Sequence, residues 1–258
     1  MVAAGASSVG IRTVTVMTDS SPLVSPIVLV PGWWLGAWAW DAVADRLRAG
    51  GHVVTALTLP GLEPDHPDRG SVSLSDQADA IVAAISAHDR PVVLAVHSGA
   101  SQPGYVASDR VPDRIAAMVY VDTAPGRGAI KDDVDGPEFP LPATWEELGE
   151  NLDGIPEDRL AEFRERAVPE PVGPMRETPE LADDARLSVP SVVIATAFSA
   201  TEYQAAAAQG APWLAGLTEL TDVTYVDLPT SHWPMWSRPD ELADLLGAVA
   251  SGGTSAVG

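Results

Sequence analysis

The chain has 258 residues, 46% of them hydrophobic and 20% charged, which suits a soluble globule built on one α/β core. Its formal net charge of −21 repels polyanions and anionic lipid, so neither nucleic acid nor a membrane is expected as a partner. No apolar run reaches the length of a membrane span, and with no cysteine there is neither a disulfide framework nor thiolate chemistry.

The first ten residues have no basic stretch leading into an apolar one, so no secretory signal is expected and the expected location is cytoplasmic. Residues 1–25 are small and polar, with one edge strand expected at Thr13–Met17. Ile27–Val30 reads as a buried strand stopped by Pro31-Gly32. Trp40, Val43, Ala44 and Leu47 then fall on one face of a helix that Gly50-Gly51 ends. A strand at His52–Leu57 follows, and Ser75 is expected to cap a helix to about Ala87 with Ile81, Val82 and Ile85 facing inward. Strand, helix to about Ser108, and strand at Ile115–Val121 continue the alternation, which implies βαβ units and a parallel sheet.

Residues 127–188 break that rhythm. They hold eight of the 23 prolines and 17 Asp or Glu against seven Lys or Arg, with short helices expected at Ala143–Leu152 and Glu157–Ala167. An insertion at the carboxyl end of a strand commonly covers a site. The alternation resumes with a strand at Ser191–Thr196, a helix to about Gln209, a strand at Val223–Leu228 and a closing helix from Pro239.

Chemistry is concentrated where the apolar run Val92–Val96 gives way to His97-Ser98-Gly99-Ala100. A short run this apolar suits a strand covered on both faces, and the abrupt change after it puts one hydroxyl on a strand-to-helix turn. There Ser98 Oγ would be an exposed nucleophile and the Gly99 N–H a donor for a developing oxyanion. The G-x-S-x-G pattern is met only in part, with Val96 and Ala100 at its outer positions. A serine in this place also serves simply as a helix N-cap.

A serine nucleophile needs a base, and there are five histidines. His52 opens a strand, His66 lies in a polar loop, His88 ends a helix, and His97 neighbours the serine on a turn whose adjacent side chains diverge. His232 follows the last strand, and loops at the carboxyl ends of parallel strands meet at one edge. His232 is therefore the candidate base for Ser98.

Val30–Trp40, Gly51–Gly61, the serine turn and Ser231–Pro239 together resemble the α/β-hydrolase superfamily, and within it the small esterase and hydroxynitrile-lyase branch. The resemblance implies an α/β-hydrolase fold, with a mostly parallel central sheet, helices on both faces and a helical cap insertion. Residues 1–126 and 189–258 would form the core and 127–188 the cap. It implies an oxyanion hole from the backbone N–H groups of Trp33 and Gly99, although Pro31-Gly32 stands where the family usually has His-Gly. It also implies a carboxylate partner for the histidine, and here the sequence departs. The usual Asp after the strand at 191–196 is absent, and Ser199 falls at that position. Asp122, at the end of the strand following the serine turn, is the first substitute and Glu202 the second; the absence of any acid ranks next, and Asp227 is a distant fourth.

Trp33, Trp34, Trp233 and Trp236, from the loops flanking the site, and Trp145, from the insertion, are expected to line an apolar pocket, with Trp38 and Trp40 in the core. The expected ligand is a small hydrophobic molecule, a neutral ester or lactone cleaved through an acyl-enzyme, with no cofactor and no metal; a homodimer is compatible with this. Two alternatives stay open: lyase or isomerase chemistry in the same pocket without an acyl-enzyme, and a non-catalytic ligand-binding protein on a hydrolase fold.

Overall fold

A computed structural model describes residues 24–253; the strand expected at Thr13–Met17 lies outside the described residues. Through the first half the elements are β1 (Ile27–Val30), α1 (Asp41–Ala49), β2 (Val54–Ala56), α2 (Leu74–Ser86), β3 (Val92–His97), α3 (Ser101–Arg110) and β4 (Ile115–Val121). The insertion contributes β5 (Glu138–Phe139), α4 (Trp145–Leu148), α5 (Glu157–Arg166), β6 (Glu170–Pro171) and α6 (Val172–Arg176). Then come β7 (Ser191–Ala195), α7 (Ala200–Ala208), β8 (Val223–Asp227), α8 (Pro234–Ser237) and α9 (Pro239–Ala250).

Six strands form one sheet in the order β2-β1-β3-β4-β7-β8, with every neighbouring pair parallel. The period of two along each strand sorts its side chains to two faces. Leu29, Val93, Val119 and Ile194 join the helices α1 and α9 in one apolar cluster. Val28, Leu94, Tyr120 and Val193 join residues of α2, α3 and α7 in the other. Each strand of β1, β3 and β7 is buried on both faces, which is why these segments read as unbroken apolar runs.

Local signals explain most element ends. Gly51, at φ 88°, takes a left-handed turn after α1 that a residue with a Cβ would resist. The cap of α2 lies two residues earlier than the sequence suggests. Ser73, not Ser75, accepts the Asp76 N–H, and Asp76 returns a bond from the Ser73 N–H, a reciprocal capping box. The insertion is more than two helices. It carries the antiparallel pair β5–β6, and its Phe163 is fully buried in the main core.

Helix α3 accommodates the bulk of Val96. The serine turn normally keeps the position two before the serine small so that the following helix can pass close by. Here the space is provided from the other side: a Cβ on Gly104 of α3 would stand 2.5 Å from Val96 Cγ1. Gly104→Ala is therefore expected to destabilise the protein by about 1–3 kcal/mol through overpacking. Adding Val96→Ala should recover part of that loss, as read by urea unfolding of the two single variants and the double variant. Additive losses would contradict the pairing.

Candidate active site

The register between β3 and β4 sets His97 opposite Val121, so the next residues, Ser98 and Asp122, leave the sheet side by side at its carboxyl edge. Both have left-handed backbones, at φ 50° and 46°. Together with Trp34 at φ 66°, they are the non-glycine residues of positive φ among those described. Strain of this kind gathers where function requires a side chain to be aimed. The Thr123 hydroxyl donates to the Ser98 carbonyl at 2.9 Å, tying the two turns together.

His232 closes the arrangement from the loop after β8. Its Nε2 lies 2.9 Å from Ser98 Oγ and its Nδ1 lies 2.6 Å from Asp122 Oδ2. An ionised carboxylate can only accept, so Nδ1 carries the proton and Nε2 is left bare to take the proton of the serine hydroxyl. The other Asp122 oxygen accepts the N–H groups of Thr196 at 3.1 Å and Ala197 at 3.0 Å. Burial works against the charge on Asp122, but the bonds from His232 and from the Thr196 N–H hold its carboxyl below the usual range.

The backbone of His232 is gripped from both sides. Its N–H donates to the Asn151 carbonyl of the insertion at 2.9 Å, and its carbonyl lies 2.7 Å from His97 Nε2. The His97 ring is fully buried and packs 4.8 Å from that of His232, as a support beneath the loop. Burial, reinforced by the neighbouring His232, pushes the His97 pKa down to about 3. His97 is thus neutral when folded but protonates below about 6.5 when unfolded. Between those pH values the unfolded state binds more protons, so stability falls as the pH drops through that window. His97→Gln is expected to flatten this dependence by up to about 1.4 kcal/mol per pH unit. Urea melts at pH 4.5 and 7 measure it, and an unchanged slope would contradict the assignment.

The other carboxylates are engaged elsewhere. Glu202 accepts both the N–H and the hydroxyl of Ser199, each at 2.7 Å, in an exposed capping box that starts α7. Asp227 accepts the Ala200 N–H at 2.7 Å. Ser199, at the family's usual acid position, is thus a helix cap, and the carboxylate beside His232 is that of Asp122.

Gly32 brings the loop after β1 against the serine turn. A Cβ there would lie 2.7 Å from Ser98 Cβ and 2.9 Å from His97 Nδ1. The next residue, Trp33, lays its indole across the Cα of Gly99, leaving no space for a side chain at 99. Among the described residues no backbone acceptor takes the Trp33 N–H.

A cavity of about 750 Å³ opens above Ser98. The aromatic residues at its wall are Trp33, which is among those expected, and Phe198, Tyr203 and Trp213, which correct the rest of the expected lining. Trp34, Trp233 and Trp236 are buried in the core instead. Residues 234–237 fold as the short helix α8, which turns Trp233 and Trp236 inward to stack at 6.1 Å, and Trp236 Nε1 donates to the Ala39 carbonyl. Trp34 Nε1 is likewise satisfied internally, by the Phe139 carbonyl. Trp145 packs on Phe163 beneath the Arg164 guanidinium. The wall that replaces them follows β7: Phe198 and Trp213 are about half exposed and meet Tyr203 edge-on. The rule that placed His232, that loops after parallel strands share one edge, also points to residues 197–213.

Among the described residues no group of three or more His, Cys, Asp or Glu is arranged to hold a metal ion, and no helix is long and apolar enough to cross a membrane.

With this geometry in place, comparison with known proteins is specific about family. The model of the alpha/beta hydrolase family matches residues 27–245. Methylesterase 7 of Arabidopsis thaliana is 25% identical over 260 residues, covering 86% of this chain and 95% of that protein. Methyl jasmonate esterase 1 of Vitis vinifera is 30% identical over 139 residues, covering 53% of this chain and 50% of that protein. Methylesterase 8 of Arabidopsis thaliana is 36% identical over 97 residues, 36% of each chain. The match thus spans half or less of the length of these last two relatives. Among solved structures, tomato methylketone synthase I superposes with a TM-score of 0.69 at 20% identity, over 91% of this chain and all of that one. An Arabidopsis methylesterase superposes at 0.66 and 20% identity, over 89% of this chain and all of that one. At such identities the structural likeness establishes the fold.

Proposed function

The chain belongs to the alpha/beta hydrolase family, and from that premise we propose that it is a serine esterase cleaving a neutral, hydrophobic carboxylic ester through an acyl-enzyme on Ser98. The observation that carries this reading is the continuous relay from Asp122 through His232 to Ser98, with contacts of 2.6 and 2.9 Å. Ser98 Oγ attacks the ester carbonyl as its proton passes to His232 Nε2. The negative charge that develops on the carbonyl oxygen is received by the N–H groups of Trp33 and Gly99. Collapse of the tetrahedral intermediate breaks the bond to the alcohol, which leaves with the proton from His232. Water then enters, gives a proton to His232 and attacks the acyl-enzyme; the carboxylic acid departs and Ser98 regains its proton.

The wall of the cavity supports the substrate class. Its aromatic faces suit an apolar acyl group, and its titratable residues other than His232 are Asp122, Glu150 and the phenol Tyr203, with no lysine or arginine. A neutral ester enters such a site without penalty, whereas its product is a carboxylate repelled by like charge, which favours release. The relatives named methylesterases favour a small alcohol portion, and lactones meet the same requirements of charge and polarity. The insertion, which holds the His232 backbone through Asn151, is read as the cap of the site, on a core of residues 1–126 and 189–258.

Turnover of paired substrates tests the reading: methyl esters of hydrophobic acids against hemiesters of similar size bearing a free carboxylate. The neutral members are expected to have kcat/KM at least about tenfold higher, equivalent to ~1.4 kcal/mol. Equal rates would remove the charge argument, and no turnover of any neutral ester or lactone would remove the esterase reading.

A further inference from the structure

The loop that supplies the Trp33 N–H has only one weak bond of its own across Trp33 and Trp34, from the Leu35 N–H to the Gly32 carbonyl at 3.4 Å. Trp34, the next residue, has φ 66°, a conformation that a bulky side chain enters at a cost on the order of 1–3 kcal/mol and keeps only where its surroundings enforce it. The contacts to Trp34's own polar groups come from the insertion. The Trp34 N–H donates to Glu170 Oε2 at 3.1 Å. The Trp34 carbonyl accepts the Val168 N–H at 3.0 Å, and Trp34 Nε1 donates to the Phe139 carbonyl at 2.9 Å. Phe139 and Glu170 are themselves opposite one another in the β5–β6 pair. The two-stranded ribbon and Val168, two residues before β6, therefore grip the backbone on both sides of Trp34 and the tip of its indole.

Glu170 is the unusual member of this grip. It is a carboxylic acid only 2% exposed, far from the ordinary surface place of its residue type. Burial pushes its pKa up to about 7, against the pull of the Trp34 N–H and of Arg69. Arg69 is itself paired with Glu138 at 3.2 Å. The reaction outlined above makes no use of Glu170, and a backbone N–H could be satisfied by water or by a main-chain carbonyl without burying an acid.

We propose that Glu170 is a positioning residue, whose side-chain oxygen fixes the Trp34 peptide so that the preceding Trp33 N–H stays aimed at the carbonyl oxygen above Ser98. The inference rests on the esterase reading for its consequence, but the grip itself can be observed without substrate. What matters is an acceptor oxygen at the right reach, not the charge, since the protonated acid and the carboxylate both accept at that atom.

Three variants separate these roles. Glu170→Gln keeps an acceptor at the same reach and loses the charge. Glu170→Asp keeps the charge and withdraws the acceptor by one methylene. Glu170→Ala removes both. With a neutral methyl ester, kcat is expected to fall roughly 10- to 100-fold in the Asp and Ala variants with KM within about threefold, since a misaimed donor weakens the transition state more than the ground state. Glu170→Gln is expected to restore kcat to within about threefold of the parent. Residue-resolved amide exchange of the 15N-labelled, ligand-free protein should show the Trp34 N–H protected in the parent and the Gln variant and exposed in the other two. A Gln variant as impaired as the Asp variant, or kcat unchanged in the Asp and Ala variants, would overturn the proposal. Unaltered Trp34 exchange in all three would overturn it equally. Should the parent turn over no ester, the esterase reading fails separately, and amide exchange still decides whether Glu170 holds this loop.

Discussion

Ser98→Ala is expected to lower kcat for ester hydrolysis by about 10⁶-fold, down to the level that binding and backbone donors sustain without a nucleophile. The hydroxyl is the one group placed 2.9 Å from His232 Nε2, and nothing else at the cavity wall offers an oxygen in its place with a base beside it. Serine and alanine differ by one atom and have the same backbone demands at φ 50°, so the fold should survive. Substrate affinity should change little, because the acyl-binding wall of Phe198, Tyr203 and Trp213 is untouched. Stopped-flow turnover beside equilibrium binding of a product analogue separates the two quantities. Retained turnover in the alanine variant would instead favour the lyase or isomerase alternative, in which His232 acts as acid and base without an acyl-enzyme.

Asp122→Asn carries the second largest expected effect, a fall in kcat of about 10⁴-fold. Asp122 is only 6% exposed and its oxygens accept from three N–H groups: His232 Nδ1, Thr196 and Ala197. An asparagine can keep its single oxygen on the two backbone donors only by turning its NH₂ toward His232. The imidazole then has to accept at Nδ1 and carry its proton at Nε2, facing Ser98, where it can no longer take the serine proton. Glu202→Gln, by contrast, should leave kcat within about twofold, because Glu202 only caps α7. The pair of variants discriminates the two acids, and a large loss in Glu202→Gln with little in Asp122→Asn would reverse the assignment. The native carboxylate also contributes to stability: its pKa lies below the unfolded value. That contribution is present above about pH 4 and is lost as the pH falls through the folded pKa.

The parallel sheet was readable because its strands are covered on both faces: Ile27–Val30, Val92–Val96 and Ser191–Ala195 have no polar face to obscure them. Ser98 and His232 were readable for a related reason, since Ser98 immediately follows a strand, His232 lies in the loop after another, and strand ends share an edge. Asp122 could be ranked but not singled out. Which carboxylate reaches His232 depends on the β3–β4 register and on the turn at φ 46°, and local sequence does not carry either. The pocket lining is only partly legible, because a tryptophan beside a site looks the same in sequence whether its ring faces the cavity, as Trp33 does, or the core. Helix α8 and the acceptors Ala39 and Phe139 decide that for Trp236 and Trp34. Val96 departs from the small residue usual at its position, and the space for it comes from Gly104 in the next helix, which the turn's own sequence does not announce. Glu170 gave no signal at all. It is one of 17 acidic residues in an insertion of 62, and only its burial and its contact with Trp34, 136 positions away, distinguish it.

The central claim is that Ser98 is a nucleophile activated through His232 and Asp122, and fluorophosphonate labelling followed by peptide mass analysis tests it most directly. The account predicts one phosphonyl group, carried by the peptide containing Ser98, formed much more slowly in Asp122→Asn and absent in Ser98→Ala. An adduct on any other residue, or protein that turns over esters while Ser98 remains unmodified by an excess of the probe, would contradict it.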